Sequence, residues 1–374
     1  MQSERVADLL AGRTPDRLPW VPELNAGFIR KTLRAGELQR TASTEAVGDL
    51  PDEELAGDQL ELEAACAEAI GADHLHRVHS VRVTRDRLSI ETDQAAGVTV
   101  IHTPAGDLRQ VQQWDPDSGT VFTREHLIKG PEDFAAYQAM VEDERYEPAY
   151  EQAAVDIERS GLATVDVPAT PLMHLLMWIM DAQPTLLAMM DYPGEMVELM
   201  AAMHEKNKEF YRLAAAGPGQ ILRPMEDTSA MLTGPTMYAE HCVAHLNDYA
   251  EITHAAGKLF ITHMCGHLGG MSEVLAEVDL DGIEAITPPP LGSADLGEMR
   301  RSLGDIWLIG GVDPSLYATV SAEEMAHHVA GTLQVMLGDR KFMLGHEEIP
   351  AAAKLANVQA VARLVEQTAG VFYR

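Results

Sequence analysis

The chemistry of this chain concentrates in Lys258-Leu-Phe-Ile-Thr-His-Met-Cys-Gly-His267. Lys258 to Thr262 reads as a short buried strand rich in β-branched and aromatic residues. His263 and Cys265 follow it two apart, so they project to the same side, because side chains repeat every second residue along a strand. An imidazole and a thiolate are both good zinc ligands. The functional reading is half of a zinc site at the mouth of a barrel. The competing reading is a buried cysteine beside a hydrogen-bonded histidine.

The elements that must position this pair alternate regularly from about residue 131 onward. Helices are expected near 131–141, 146–160, 171–190, 193–216, 235–256, 268–278, 295–303, 321–337 and 351–369. Between them fall apolar strands at 162–165, 219–226, 258–262, 282–287, 306–311 and 341–345. Gly257 suits the end of the helix before the central strand. Such alternation with apolar strands means a parallel sheet covered by helices. No Gly-rich dinucleotide fingerprint accompanies it, which favours a (β/α)₈ TIM barrel of the α/β class. N-terminal helices are expected near 3–12, 27–35 and 52–70. Residues 76–128 alternate polar and apolar residues between turn signals, the texture of an antiparallel hairpin insertion. The organisation expected is one domain over 1–374: an N-terminal helical segment at 1–75, the hairpin insertion at 76–128 and the main barrel at 129–374.

In a barrel of this kind the chemistry sits at the carboxyl ends of the strands. Those ends deliver Asp166, then Glu226 and Asp227, then His263 and Cys265, then Asp313, then His346, Glu347 and Glu348. Zinc takes three protein ligands plus an open position when catalytic. His263 and Cys265 supply two, and His346 is the preferred third, with Glu347 as its rival. Glu226 is a candidate fourth ligand. Glu226, Asp227 and Asp166 are the candidate catalytic carboxylates. Other groups read as less informative: His241 and His245 on an outer helix as packing residues, His74, His76 and His79 as solvent-exposed, and the methionines between 173 and 203 as helical core.

Composition excludes several classes. With 58 acidic against 28 basic residues the formal charge is −30, which argues against nucleic acid or an anionic membrane face as partner. Three cysteines, Cys66, Cys242 and Cys265, make no disulfide framework and point to a reducing, cytoplasmic setting. No apolar stretch approaches the ~20 residues of a membrane span.

Several pieces together resemble the uroporphyrinogen decarboxylase-like superfamily: Arg17-Leu-Pro-Trp-Val-Pro22, Thr103-Pro-Ala-Gly-Asp-Leu108, Ala255-Ala-Gly-Lys-Leu-Phe-Ile-Thr-His-Met-Cys-Gly266, Gly311-Val-Asp-Pro314 and Leu344-Gly-His-Glu-Glu-Ile-Pro350. Within it the zinc-dependent, corrinoid-linked methyltransferases look most similar. The resemblance implies a zinc-dependent transfer of a methyl group from a small methylated substrate to a corrinoid (cobalamin), either as a cofactor or on a corrinoid protein, and the loss of a thiolate ligand, which leaves a harder metal, points to an O-methyl ether as donor. A homodimer is compatible with it. Those enzymes carry a third Cys in a Gly-Cys-Glu-Ile-Pro-like turn. Here that turn reads Gly345-His-Glu-Glu-Ile-Pro350, so His346 or Glu347 must replace the thiolate if the zinc is kept. The alternatives are a metal-free decarboxylase with clustered arginines (Arg30, Arg34 and Arg223 are the candidates), a methylcorrinoid:thiol methyltransferase, and a non-catalytic corrinoid-binding module. Val21-Pro-Glu-Leu-Asn-Ala-Gly-Phe28 stands where the decarboxylases carry an Arg-rich motif, which weighs against the first.

Overall fold

A computed structural model describes residues 2–34, 59–115, 120–160 and 162–374. The part of the expected helix 52–70 before residue 59 lies outside them, as does residue 35 of the helix 27–35. In chain order the strands are β1 (Trp20–Leu24), β2 (His76–Val78), β3 (Val81–Arg85), β4 (Ser89–Asp93), β5 (Val98–Thr103), β6 (Gly106–Asp115), β7 (Thr120–Glu125) and β8 (Glu144–Pro148). They continue as β9 (Ala163–Val167), β10 (Ile221–Pro224), β11 (Leu259–His263), β12 (Gly282–Ile286), β13 (Trp307–Gly310) and β14 (Phe342–Ile349).

Eight of these run parallel in one sheet, ordered β1-β14-β13-β12-β11-β10-β9-β2. This is the expected barrel. It is not confined to 129–374, however, because its first two strands come from residues 20–24 and 76–78. The antiparallel layer is present as a sheet β4-β5-β6-β7 and a separate pair, β3 with β8. The element β8 was read as the start of a helix. Pro148 and the polar run before it hold it extended, and the helix begins at Tyr150. The single helix expected at 171–190 is broken at Asp181, whose φ of 73° no helix accommodates.

Period two sorts the strand residues into two environments. Trp20, Leu222, Phe260, Leu308, Phe342 and Leu344 join the large core between sheet and helices. Val21, Ile221, Ile261, Ile309 and Met343 form a separate apolar cluster with Leu75, Leu162 and Trp307, filling the barrel interior. Two residues further along β1, β10 and β11, on the same inward side, stand Glu23, Arg223 and His263. The barrel is therefore apolar below and charged at its carboxyl mouth.

β1 and β2 are the two ends of the sheet and share no ladder. Asp73 closes this seam. Its amide donates to the Trp20 carbonyl at 2.6 Å, and its Oδ2 accepts from the Trp20 amide at 3.0 Å and from Arg17 Nη1 at 2.7 Å. Oδ1 accepts from Arg5 at 3.0 Å. Asp73 and Arg17 are both buried. Removing one partner of such a pair leaves an uncompensated buried charge. Asp73→Ala should cost about 3–5 kcal/mol in a denaturant titration; an unchanged midpoint would mean the seam is held by other contacts.

Candidate metal centre

β14 delivers His346 by an irregularity. Val21 pairs with Gly345 but Glu23 pairs with Glu348, so three steps on β14 match two on β1. The strand, expected to stop at 345, runs on to Ile349 through this bulge. Gly345 has φ 111°, and a Cβ there would stand 2.9–3.1 Å from the backbone of Val21 and Pro22. His346 follows at φ 64°. The twist separates two consecutive buried side chains. His346 turns into the barrel, and Glu347 turns out to accept from Tyr317 Oη at 2.8 Å. Asp227 and Ala285, next to Glu284, are also left-handed. Left-handed backbone at non-glycine residues costs free energy and gathers where function requires it.

The mouth is organised around Arg223, which has no exposed surface. Its guanidinium bonds Glu284 through Nε, Asp166 at 3.0 Å and Glu23 at 3.3 Å, and its Nη2 stands 2.7 Å from His263 Nδ1. His263 Nδ1 is also 3.0 Å from Glu284 Oε1. His346 Nε2 lies 2.7 Å from Glu284 Oε2 and 3.6 Å from Glu23 Oε1. His346 Nε2 and Glu284 Oε2 form a close ion-pair contact, yet among the described residues neither atom has a partner in hydrogen-bond geometry. One ligand atom each from Glu23, His263 and His346 falls within 4.8 Å of the others.

The electrostatics keep His263 neutral and Glu23 and Glu284 ionised, while His346 favours its protonated form and would have to give up that proton to a metal. Burial, and then the Arg223 charge, lowers the His263 pKa, so its imidazole stays neutral. Burial disfavours ionised Glu284, but Arg223 and His346 outweigh it and hold its pKa well below the usual value. Glu23 is likewise lowered against its burial, by His346, Arg77 and Arg223. For His346, burial is outweighed by Glu284 and Glu23, and its pKa is raised. Three carboxylates thus face one guanidinium, an excess of negative charge that suits a bound cation. Two imidazoles and a carboxylate are a known catalytic zinc set. In the tautomer with the proton on His263 Nδ1, that nitrogen donates to Glu284 Oε1 and leaves Nε2 for a metal, a carboxylate orienting an imidazole through its second nitrogen; in the other tautomer Nδ1 accepts from Arg223 instead. The orphaned His346 Nε2 and this donor set fit a zinc ion.

The four residues expected to hold the metal are therefore split. His263 and His346 come together. Cys265 does not join them: β11 ends at His263, and the Cys265 thiol donates to Asp227 Oδ1 at 3.1 Å. Desolvation, then that carboxylate, pushes the thiol pKa up. Glu347, facing Tyr317, is pushed by burial to about 7. Glu23 takes the third place. Of the expected carboxylates, Asp166 holds Arg223 and Asp227 holds Cys265. Glu226 is withdrawn from the mouth, accepting from the Thr170 amide and hydroxyl and from Tyr238. Asp313 accepts from the amides of Leu291 and Ser315 and shapes a loop. His74 and His76, read as exposed, are buried. Glu23, Glu284 and the central role of Arg223 were missed. The available signal was a charged residue at an inward position of an otherwise apolar strand, as in Ile221-Leu-Arg-Pro224 and Gly282-Ile-Glu-Ala-Ile286.

The chain belongs to the uroporphyrinogen decarboxylase (URO-D) family, whose model matches residues 89–368. Among solved structures it is similar to a methyltransferase from Methanosarcina mazei, at 11% identity over 98% of both chains with a TM-score of 0.61. That likeness shows a shared fold. Two looser overlaps each cover 60% of this chain at a TM-score of 0.34: D-psicose 3-epimerase from Clostridium cellulolyticum H10, at 9% identity over 83% of that chain, and the pneumococcal virulence factor StrH, at 11% over 65%. No curated protein matches the chain. Among the described residues no helix is long and apolar enough to cross a membrane.

Burial raises the Glu226 pKa from 4.5 to about 7. A carboxyl that binds its proton more tightly when folded contributes stability in acid, and that contribution is lost as pH rises from about 4.5 to 7. Glu226→Gln should remove this component. Chemical denaturation at several pH values should show wild-type stability falling relative to the variant across that window and the difference levelling off above it. Parallel pH profiles would contradict the assignment.

Proposed function

We propose that this protein is a methyltransferase that takes a methyl group from a small methylated substrate of the O-methyl ether class and passes it to a corrinoid carried by a partner protein. One observation carries the reading: Glu23, His263 and His346 bring ligand atoms within 4.8 Å of one another at the carboxyl mouth of the barrel. These three residues would hold zinc, which supplies Lewis acidity toward the ether oxygen and stabilises the charge that develops as the methyl group leaves. Two nitrogens and an oxygen form a harder set than thiolates, which suits an ether oxygen better than a thiol.

The chain's own residues act by positioning. Arg223 and Glu284 fix the His263 ring before substrate enters, and Asp166 fixes Arg223. The bulge at Gly345 aims His346. The apolar layer beneath, Val21, Ile221, Ile261, Ile309 and Met343, closes the barrel below the site and keeps water from reaching it from that side. Decarboxylation is the weaker reading, because the Arg223 guanidinium is already paired with Glu284, Asp166 and Glu23 rather than held open for a substrate carboxylate.

Metal analysis of purified protein tests the ligand set. His263→Ala, His346→Ala and Glu23→Gln should each lose one equivalent of zinc relative to wild type, whereas Cys265→Ala and Glu347→Gln should retain it. The zinc-loaded wild type, given reduced cobalamin and a panel of methyl ethers, should form methylcobalamin, and the first three variants should not. Retention of all zinc in those three, or no methylcobalamin from any ether, would overturn the reading.

A further inference from the structure

A second cluster lies outside the barrel axis and has no part in the proposed methyl transfer. Glu63 comes from the helix Gln59–Ile70, His74 from the loop before β2, and His76 is the first residue of β2. His74 Nε2 and His76 Nδ1 face each other at 3.0 Å, and Glu63 Oε2 stands 3.9 Å and 3.8 Å from them. Both histidines are buried, at 8% and 3% exposure. Their outer nitrogens, His74 Nδ1 and His76 Nε2, have no hydrogen-bond partner. Among the described residues a side-chain hydrogen bond joins the two rings to each other, with the Glu63 carboxylate beside them. The facing nitrogens, His74 Nε2 and His76 Nδ1, and the Glu63 carboxylate converge within the span of one ion's ligands, where a cation would take the place of the contact between the rings.

The spacing identifies what fits. Zinc–nitrogen bonds of about 2.0–2.1 Å in a tetrahedral site place neighbouring ligand atoms about 3.3–3.5 Å apart. The observed separations, 3.0 to 3.9 Å, bracket that value. Glu63 and His74 also line a cavity of about 160 Å³ together with Glu23, Arg77 and Glu348. That cavity lies by the seam where β1 and β2 share no ladder. We propose that Glu63, His74 and His76 form a second divalent-metal site, of the zinc class, that ties the helix Gln59–Ile70 to the start of β2 and leaves a coordination position facing the cavity.

This site is independent of the barrel-axis centre, and cobalt(II) distinguishes the two. The probe is added to chelator-stripped protein carrying His263→Ala and His346→Ala, which lacks the axis ligands. We expect one equivalent bound, visible ligand-field absorption and a raised Tm. Adding His76→Ala should abolish all three. Adding Glu63→Gln instead should weaken binding about tenfold or more, the scale on which even outer-shell partners act. No binding by the folded double variant, or binding indifferent to both His76→Ala and Glu63→Gln, would overturn the proposal. Should the double variant fail to fold, the stoichiometry of His76→Ala in an otherwise wild-type chain decides: one equivalent fewer than wild type upholds the site, and no change refutes it. A wild type that takes one equivalent, kept without the axis histidines and lost with His76→Ala, would uphold this site while sinking the axis reading.

Discussion

The candidate site depends on one buried cation. The Arg223 guanidinium is fully removed from water and is balanced by Glu284, Asp166 and Glu23, which reach it from three other strands. A buried charge is tolerated only with such partners, and removal of any one leaves the others uncompensated. The network therefore fixes more than its own members. It ties β1, β9, β10 and β12 together at the mouth, keeps Glu23 and Glu284 ionised, and holds His263 neutral and oriented. The ligand geometry proposed at the mouth follows from how the barrel neutralises this arginine.

The second constraint is geometric. Alternation along β14 would point His346 and Glu347 to opposite faces and give the inward place to Gly345. The bulge opposite β1 moves that place by one residue, at the cost of a left-handed histidine. The corrinoid-linked methyltransferases that the sequence resembles carry a cysteine at this turn, where this chain has His346. In the proposed site the Glu23 carboxylate from β1 completes a set without sulfur.

Much of this was legible in the sequence. The helix 193–216 and the strands around 259–263 and 282–286 follow from apolar runs bounded by glycine and turn residues, and strand–helix alternation implied the barrel. That His263 and His346 would meet was legible from their places at the carboxyl ends of two barrel strands, which converge on one mouth. Cys265 and Glu347 misled for a common reason: adjacency in sequence does not give direction where a strand ends or bulges. β11 stops at His263, so Cys265 leaves the period-two register, and the bulge reverses Glu347. Residues 18–23 read as a short extended piece and are one, but nothing in Pro22-Glu-Leu24 showed that Glu23 would face the barrel interior. Arg223 and Glu284 are single charges within apolar strands, a pattern whose meaning emerges only when the strands are placed side by side.

The central claim is that the metal at the barrel mouth is held without sulfur. X-ray absorption at the zinc edge tests it directly, on zinc-loaded protein carrying His76→Ala so that only the axis centre is filled. The account predicts a first shell of nitrogen and oxygen at about 2.0–2.1 Å and no sulfur. A sulfur scatterer at about 2.3 Å would place Cys265 on the metal and contradict the ligand set of Glu23, His263 and His346.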